Sequence, residues 1–179
     1  RRIEHVVLSH AHDDHCGGLG GVLAANSRVS VHVPASFPSR FSDLVASRGA
    51  RCEIVRGERT LLPSVHTTGE MGDGRREQAL VVETDRGLVV VTGCAHPGIV
   101  EVVTRAVERF RDRVRLLVGG FHLMHHEPSG VRAIAERLEA LGVDRIAPCH
   151  CTGDGASRMM EEHFKERCTR CGAGLTLEL

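Results

Sequence analysis

The sequence predicts an α/β fold with an α+β stretch inside it, and two observations carry that reading. Short apolar, β-branched runs alternate with segments whose apolar residues recur at helical spacing, so strand follows helix along most of the chain. Strand after predicted strand also runs out into a residue of metal-ligand type. In an α/β sheet such positions gather along one rim, where strands end and loops begin.

In chain order, residues 3–9 read as a buried strand and 18–25 as a short helix packed behind the loop between them. Residues 29–33 form a second strand, ended by Pro34, which has no N–H to extend a ladder. A short helix around 41–47 and a strand at 52–55 follow. From 61 to 83 the pattern is all β: a strand at 61–67, a glycine-rich turn at 69–74 and a strand at 78–83. Asp85-Arg86-Gly87 then makes a hairpin turn into a strand at 88–92.

Ile99, Val102, Val103, Ala106, Val107 and Phe110 keep the i, i+3, i+4, i+7 rhythm of an amphipathic helix. A strand at 114–118 leads to Gly119-Gly120-Phe121-His122-Leu123. Val131, Ile134, Leu138 and Leu141 mark a second such helix, stopped by Gly142. A short strand around Ile146, the loop 148–153, a helix at 156–165 and a final strand at 175–179 complete the expectation. No repeat or low-complexity linker divides the chain, so 1–179 reads as one domain.

The densest chemistry lies in Ser9-His10-Ala11-His12-Asp13-Asp14-His15, between the first strand and the glycines from Gly17 onward. Residues two apart in extended chain face the same way, so His10 and His12 can close on one cation. Asp14 and His15, past the bend, can reach a second. Imidazole and carboxylate suit zinc, manganese or iron. Further along, Cys94 and His96, then His122, then His150 stand at strand ends and converge on the same rim.

Composition narrows the partner. The 179 residues carry zero formal net charge and no basic block, and aromatics are only 3%, so neither a nucleic acid nor an anionic membrane finds an electrostatic or stacking surface. No apolar run approaches the roughly 18–20 residues of a membrane span. A small-molecule substrate is the expectation. The seven cysteines are odd in number and scattered, and with 12 histidines they favour a reducing compartment, hence the cytoplasm, and metal chemistry. The oligomeric state stays open, a homodimer included.

His10-x-His12-x-Asp14-His15 followed by glycines resembles the signature of the metallo-β-lactamase-fold hydrolases. Gly93-Cys94-Ala95-His96-Pro97-Gly98-Ile99, Gly119-Gly120-Phe121-His122-Leu123 and Pro148-Cys149-His150-Cys151-Thr152-Gly153 are similar to later motifs of one branch, named for dihydropterin-6-yl-methyl-ribofuranosylaminobenzene-phosphate synthase. The resemblance spans essentially the whole chain. It implies an αββα sandwich with two divalent metal ions at the sheet edge, zinc first, iron or manganese otherwise. His10, His12 and His96 would hold one ion; Asp14, His15 and His150 would hold the other. Cys94 stands where many relatives place a bridging aspartate, either as a ligand or as a packed thiol.

Asp14 and His122 are the candidate catalytic groups, His122 as an oxyanion or phosphate contact or else as a structural histidine. The implied chemistry is hydrolysis by an activated water, or, on the branch's name, a condensation at a pterin methyl carbon. Family members also begin with strands and a helix ahead of the histidine strand, so the resemblance implies an N-terminally truncated chain, and a metal-binding remnant without turnover is a third reading.

Several residues have competing readings. His66 is an alternative third ligand for the first ion. His125 and His126 read as a solvated loop pair, His5, His32 and His163 as ordinary surface or core residues, and Asp13 as a support for the metal loop or a solvated carboxylate. Cys149-x-Cys151 with Cys168-x-x-Cys171 has the composition of a four-thiolate structural zinc site, or of reduced cysteines beside a glycine-rich turn.

Overall fold

In a computed structural model, residues 3–178 are described. Two sheets organise them. The smaller is parallel throughout: β1 (His5–Val7), β2 (Ser30–Pro34) and β3 (Arg51–Val55), in the order β1-β2-β3. The larger holds β4 (Arg59–Leu62), β5 (Val65–Thr67), β6 (Leu80–Thr84), β7 (Gly87–Thr92), β8 (Val114–Gly120) and β9 (Arg145–Cys149), ordered as in the chain. Its first pairs are antiparallel, β4-β5 and β6-β7 joined by tight turns and β5-β6 by the loop 68–79, whereas β7-β8 and β8-β9 are parallel. Parallel neighbours need long crossovers, and α4 (Ile99–Phe110) and α5 (Pro128–Ala140) provide them.

One face of the larger sheet carries the main core. Val81, Leu88, Val90, Leu117 and Ile146 meet the apolar faces of α4, α5 and α6 (Asp154–Phe164), including Ile99, Val103, Leu138, Met160 and Phe164. Its other face holds a smaller cluster of Val89, Leu116 and Ala147, against which Cys171 and Leu177 pack. The side chains of Leu116 and Leu117 point to opposite faces, as the two-residue period of a strand requires. The smaller sheet builds its own core, where Val31 and Val33 meet Leu19 and Leu23 of α2 (Leu19–Ala25) and Val45 of α3 (Ser39–Ser47). Helices thus flank both sheets.

Three expectations change. The strand expected at 61–67 is two strands, because Pro63 offers no N–H and Ser64 turns to φ 61°, folding Leu62 back on Val65. The short helix α1 (Asp13–Cys16) follows the histidine pair directly. The final strand does not form among the described residues: the chain makes one parallel bridge at Ile146–Cys168, and 171–178 is irregular, with Gly174 at φ 87°. Leu179 lies outside the described residues.

Because Leu117 is fully buried between sheet and helices, Leu117→Ala should lower stability by about 2–5 kcal/mol. Leu62→Ala, at a position 41% exposed, should stay within about 0.5 kcal/mol. Urea unfolding of the two variants side by side checks the assignment of the core.

Candidate metal centre

The ends of β1, β7, β8 and β9 deliver their polar residues to one place. His10 Nε2 lies 2.9 Å from His12 Nδ1, and the His10 and His12 rings stand 4.7 and 5.1 Å from the ring of His96. Ligand atoms of these three fall within 4.8 Å of one another. His96 Nε2 is buried with no hydrogen-bond partner. A buried polar nitrogen left unpaired costs about 1–3 kcal/mol, so a cation at this point removes a cost that the fold otherwise carries. These residues fit a divalent metal.

A second cluster adjoins the first. His15 Nε2 is 3.0 Å from His150 Nε2, and Asp14 Oδ2 is 3.4 and 3.3 Å from those same two nitrogens. Cys94 Sγ is 3.2 Å from His15 Nε2. The rings of His10 and His15 are 4.2 Å apart, so the two clusters share a wall. His122 stands on the other flank, its ring 4.4 Å from that of His96, exposed to solvent.

Local backbone aims these side chains. Ala95, His122 and His150 take left-handed φ values of 58°, 55° and 52°. Each costs an L-residue about 1 kcal/mol or more, and such strain concentrates at functional sites. Gly93 admits no side chain, because a Cβ there would lie 2.2 Å from Ser9 Oγ and 2.9 Å from Glu77 Oε1.

Glu77 is the residue that sequence reasoning missed. It is 2% exposed. Its Oε1 accepts the N–H groups of Gly93, Cys94 and Ala95 at 3.1, 2.8 and 3.1 Å, and its Oε2 accepts that of His96 at 3.0 Å. Oε2 also lies 3.6 Å from His10 Nδ1. One carboxylate therefore shapes the Cys94–His96 loop and places its charge beside His10, whose Nδ1 is bonded by Ser9 Oγ at 3.0 Å; such supporting groups tune metal ligands. The only sequence signal was a charged residue immediately before a strand.

Burial favours the neutral form of four of the imidazoles. Burial pushes His10 down to about 4, opposed by Glu77 and assisted by the surrounding histidines. Burial likewise lowers His15, His96 and His122. Burial, the nearby Cys151 thiol and the Glu77 charge raise the Cys94 thiol. At Asp14 desolvation, the largest single effect, is outweighed by the sum of His15, its own backbone N–H, His150 and His12, which hold the carboxyl below its ordinary range.

The remaining candidates separate. His66 is not near the centre; it pairs with Glu83 at 2.7 Å and packs its ring on Phe110. His125, His126 and Asp13 are exposed. His5 and His32 bond to each other at 3.0 Å, and His163 pairs with Glu139. The four-thiolate site is not assembled among the described residues: Cys149 turns towards Cys171, whereas Cys151 turns towards Cys94. An apolar cavity of about 210 Å³, lined by Ile99, Phe121, Leu123 and Ile134, opens beside His96 and His122.

This geometry defines a metal-binding centre at the carboxyl ends of strands. The family model described as the metallo-beta-lactamase superfamily matches residues 1–150, and the chain belongs to that superfamily.

Within it, the chain is 28% identical to the 7,8-dihydropterin-6-methyl-4-(beta-D-ribofuranosyl)-aminobenzene-5'-phosphate synthase of Methanocaldococcus jannaschii, over 97% of this chain and 74% of that protein. Among solved structures it is similar to Tm1679, described as a metal-dependent hydrolase of the beta-lactamase superfamily, with TM-score 0.82 and 27% identity, covering 97% of this chain and 78% of that one. The isothiocyanate hydrolase from Delia radicum gut bacteria shares the fold, with TM-score 0.66 at 13% identity, over 98% of this chain and 76% of its own.

Glu77→Gln keeps the shape but removes the charge, and should weaken metal binding about 10- to 100-fold, read by competition with a chelating dye. A pH effect follows as well. Unfolded, His10 binds a proton near 6.5; folded, only near 4. Between those values the unfolded state holds more protons, so the stability of the metal-stripped chain should fall as pH drops from about 6.5 to about 4, seen as a falling urea midpoint.

Proposed function

We propose that this chain is a metal-dependent hydrolase whose dinuclear centre activates water against a small, phosphorylated or pterin-like substrate. The observation that carries the reading is the pair of ligand clusters sharing a wall: His10, His12 and His96 on one side, Asp14, His15 and His150 on the other, with Cys94 at the junction. These residues would hold two divalent cations, and the chemistry such a pair would supply is an activated water near neutral pH and polarisation of the scissile oxygen. Zinc, iron and manganese are all compatible with these donors.

The residues of the chain do the rest. Ser9 Oγ bonds His10 Nδ1 at 3.0 Å, with Glu77 Oε2 3.6 Å from the same atom, so Nε2 is the His10 nitrogen left for a cation. Asp14 Oδ2, at the solvent edge, takes up the proton released during attack. His122, on the solvent-facing flank of the centre, offers one N–H to the developing oxyanion. The apolar cavity beside His96 and His122 receives the flat or aliphatic part of the substrate and keeps water from it.

The relative from Methanocaldococcus jannaschii is named a synthase, and this favours one alternative, a condensation at a pterin methyl carbon. Isotope incorporation separates the two readings. In ¹⁸O-labelled water a hydrolase places ¹⁸O in its product, and a condensing synthase does not. Metal analysis of the chain should find about two equivalents of zinc, iron or manganese, with His12→Ala losing most of one and keeping its fold. Unchanged metal content in that variant, or metal without turnover on phosphoesters, lactones and pterin derivatives, overturns the hydrolase reading.

A further inference from the structure

Cys151 is the polar group at the centre that the hydrolytic reading leaves unused. It sits in the 3-10 turn His150–Thr152, directly after β9. The turn is pinned from beneath by Thr152, fully buried, whose Oγ1 donates to the Cys149 carbonyl at 2.7 Å and accepts the Phe121 N–H at 3.1 Å. Its first residue, His150, is in the left-handed region, which sends His150 and Cys151 together towards the centre. Cys151 Sγ donates to the Cys94 carbonyl at 3.6 Å. It fills the space that a side chain on Gly120 would occupy, since a Cβ there would lie 2.7 Å from the sulfur. Ligand atoms of Cys94, His150 and Cys151 fall within 4.8 Å of one another, and His15 Nε2 lies 3.2 Å from Cys94 Sγ and 3.0 Å from His150 Nε2.

We propose that Cys94 and Cys151 form a two-thiolate wall on the second metal position, so that the cation held by His15 and His150 takes two sulfur ligands and the site selects a thiophilic ion such as zinc over manganese or magnesium. The inference rests on the reading that the histidine loop holds metal. Two imidazoles and two thiolates make a tetrahedral donor set of zinc type. Asp14, with a side chain 58% exposed, stands at the solvent side of this set, its Oδ2 3.3 Å from His150 Nε2. On binding, each thiol gives its proton to solvent and its sulfur lone pair to the cation; nothing is oxidised or reduced. Cys149 takes no part, because it faces Cys171 instead.

The test is cobalt substitution of the whole chain, stripped with chelator under reducing, oxygen-free conditions. Sulfur-to-cobalt charge transfer in the near ultraviolet grows with the number of thiolates bound, and the visible bands report bound cobalt independently. The unaltered chain should show the thiolate band, Cys94→Ser and Cys151→Ser should each keep about half of it, and Cys149→Ser should keep all. A Cys151→Ser variant with the full band overturns the proposal. Cobalt bound with no thiolate band overturns it while leaving the metal centre intact, and no cobalt bound at all overturns both. Should the serine variants fail to fold, alkylation of the unaltered chain decides: zinc should protect the Cys94 and Cys151 peptides together, and protection of Cys94 alone refutes the pairing.

Discussion

Everything at the centre depends on one buried carboxylate. Glu77 reaches into the gap between the sheets and collects the N–H groups of Gly93, Cys94, Ala95 and His96. A carboxylate out of water costs several kcal/mol unless its lone pairs are satisfied, and here backbone donors satisfy them. The same contacts solve the loop's problem, since a turn that leaves β7 has no ladder for its own N–H groups. Gln78 continues the join: its Nε2 donates to the Leu8 and His32 carbonyls, its Oε1 accepts the Thr67 hydroxyl, and its N–H bonds to Ser9. One dipeptide thus stitches the smaller sheet to the larger at the height of the histidines.

That arrangement also sets the charge state of the centre. The imidazoles of His10, His15, His96 and His122 are pushed towards their neutral forms by burial, while the carboxylate behind them opposes the shift. Neutral imidazole is the form that binds metal, so a cation meets little proton competition at neutral pH. The strained backbone at Ala95, His122 and His150 belongs to the same economy of structure. It is tolerated because packing and hydrogen bonds around each turn leave no relaxed alternative.

Much of this was legible in the sequence. The spacing of His10, His12, Asp14 and His15 and the placing of His96, His122 and His150 at strand ends follow from local rules of strand geometry and sheet topology, and the structure brings those residues together. Glu77 was not legible, because a single carboxylate before a strand has no pattern; its meaning comes entirely from the loop that folds over it. The direction of Cys151 was hidden for a similar reason. In extended chain Cys149 and Cys151 would share a face, but left-handed His150 breaks the alternation and sends them apart. The tail at 175–178 reads as a strand by composition, but after the Cys168 bridge it makes no ladder along β9. His66 is held by Thr60 across the β4-β5 pair, which exists only because the expected strand splits, and by Glu83 across β5-β6.

The two clusters differ in a way that bears on how they work. His10 is 1% exposed, with His96 Nε2 buried beside it, whereas Asp14 and His150 stand at the surface. A cation held by His10, His12 and His96 would lie in low dielectric close to the Glu77 charge, where attraction is strong. A cation held by His15 and His150 would meet solvent on the side where Asp14 stands. On the proposed reading the buried position would be the anchor and the exposed one the working face. On the same reading the apolar cavity beside His96 and His122 would receive the apolar part of the substrate.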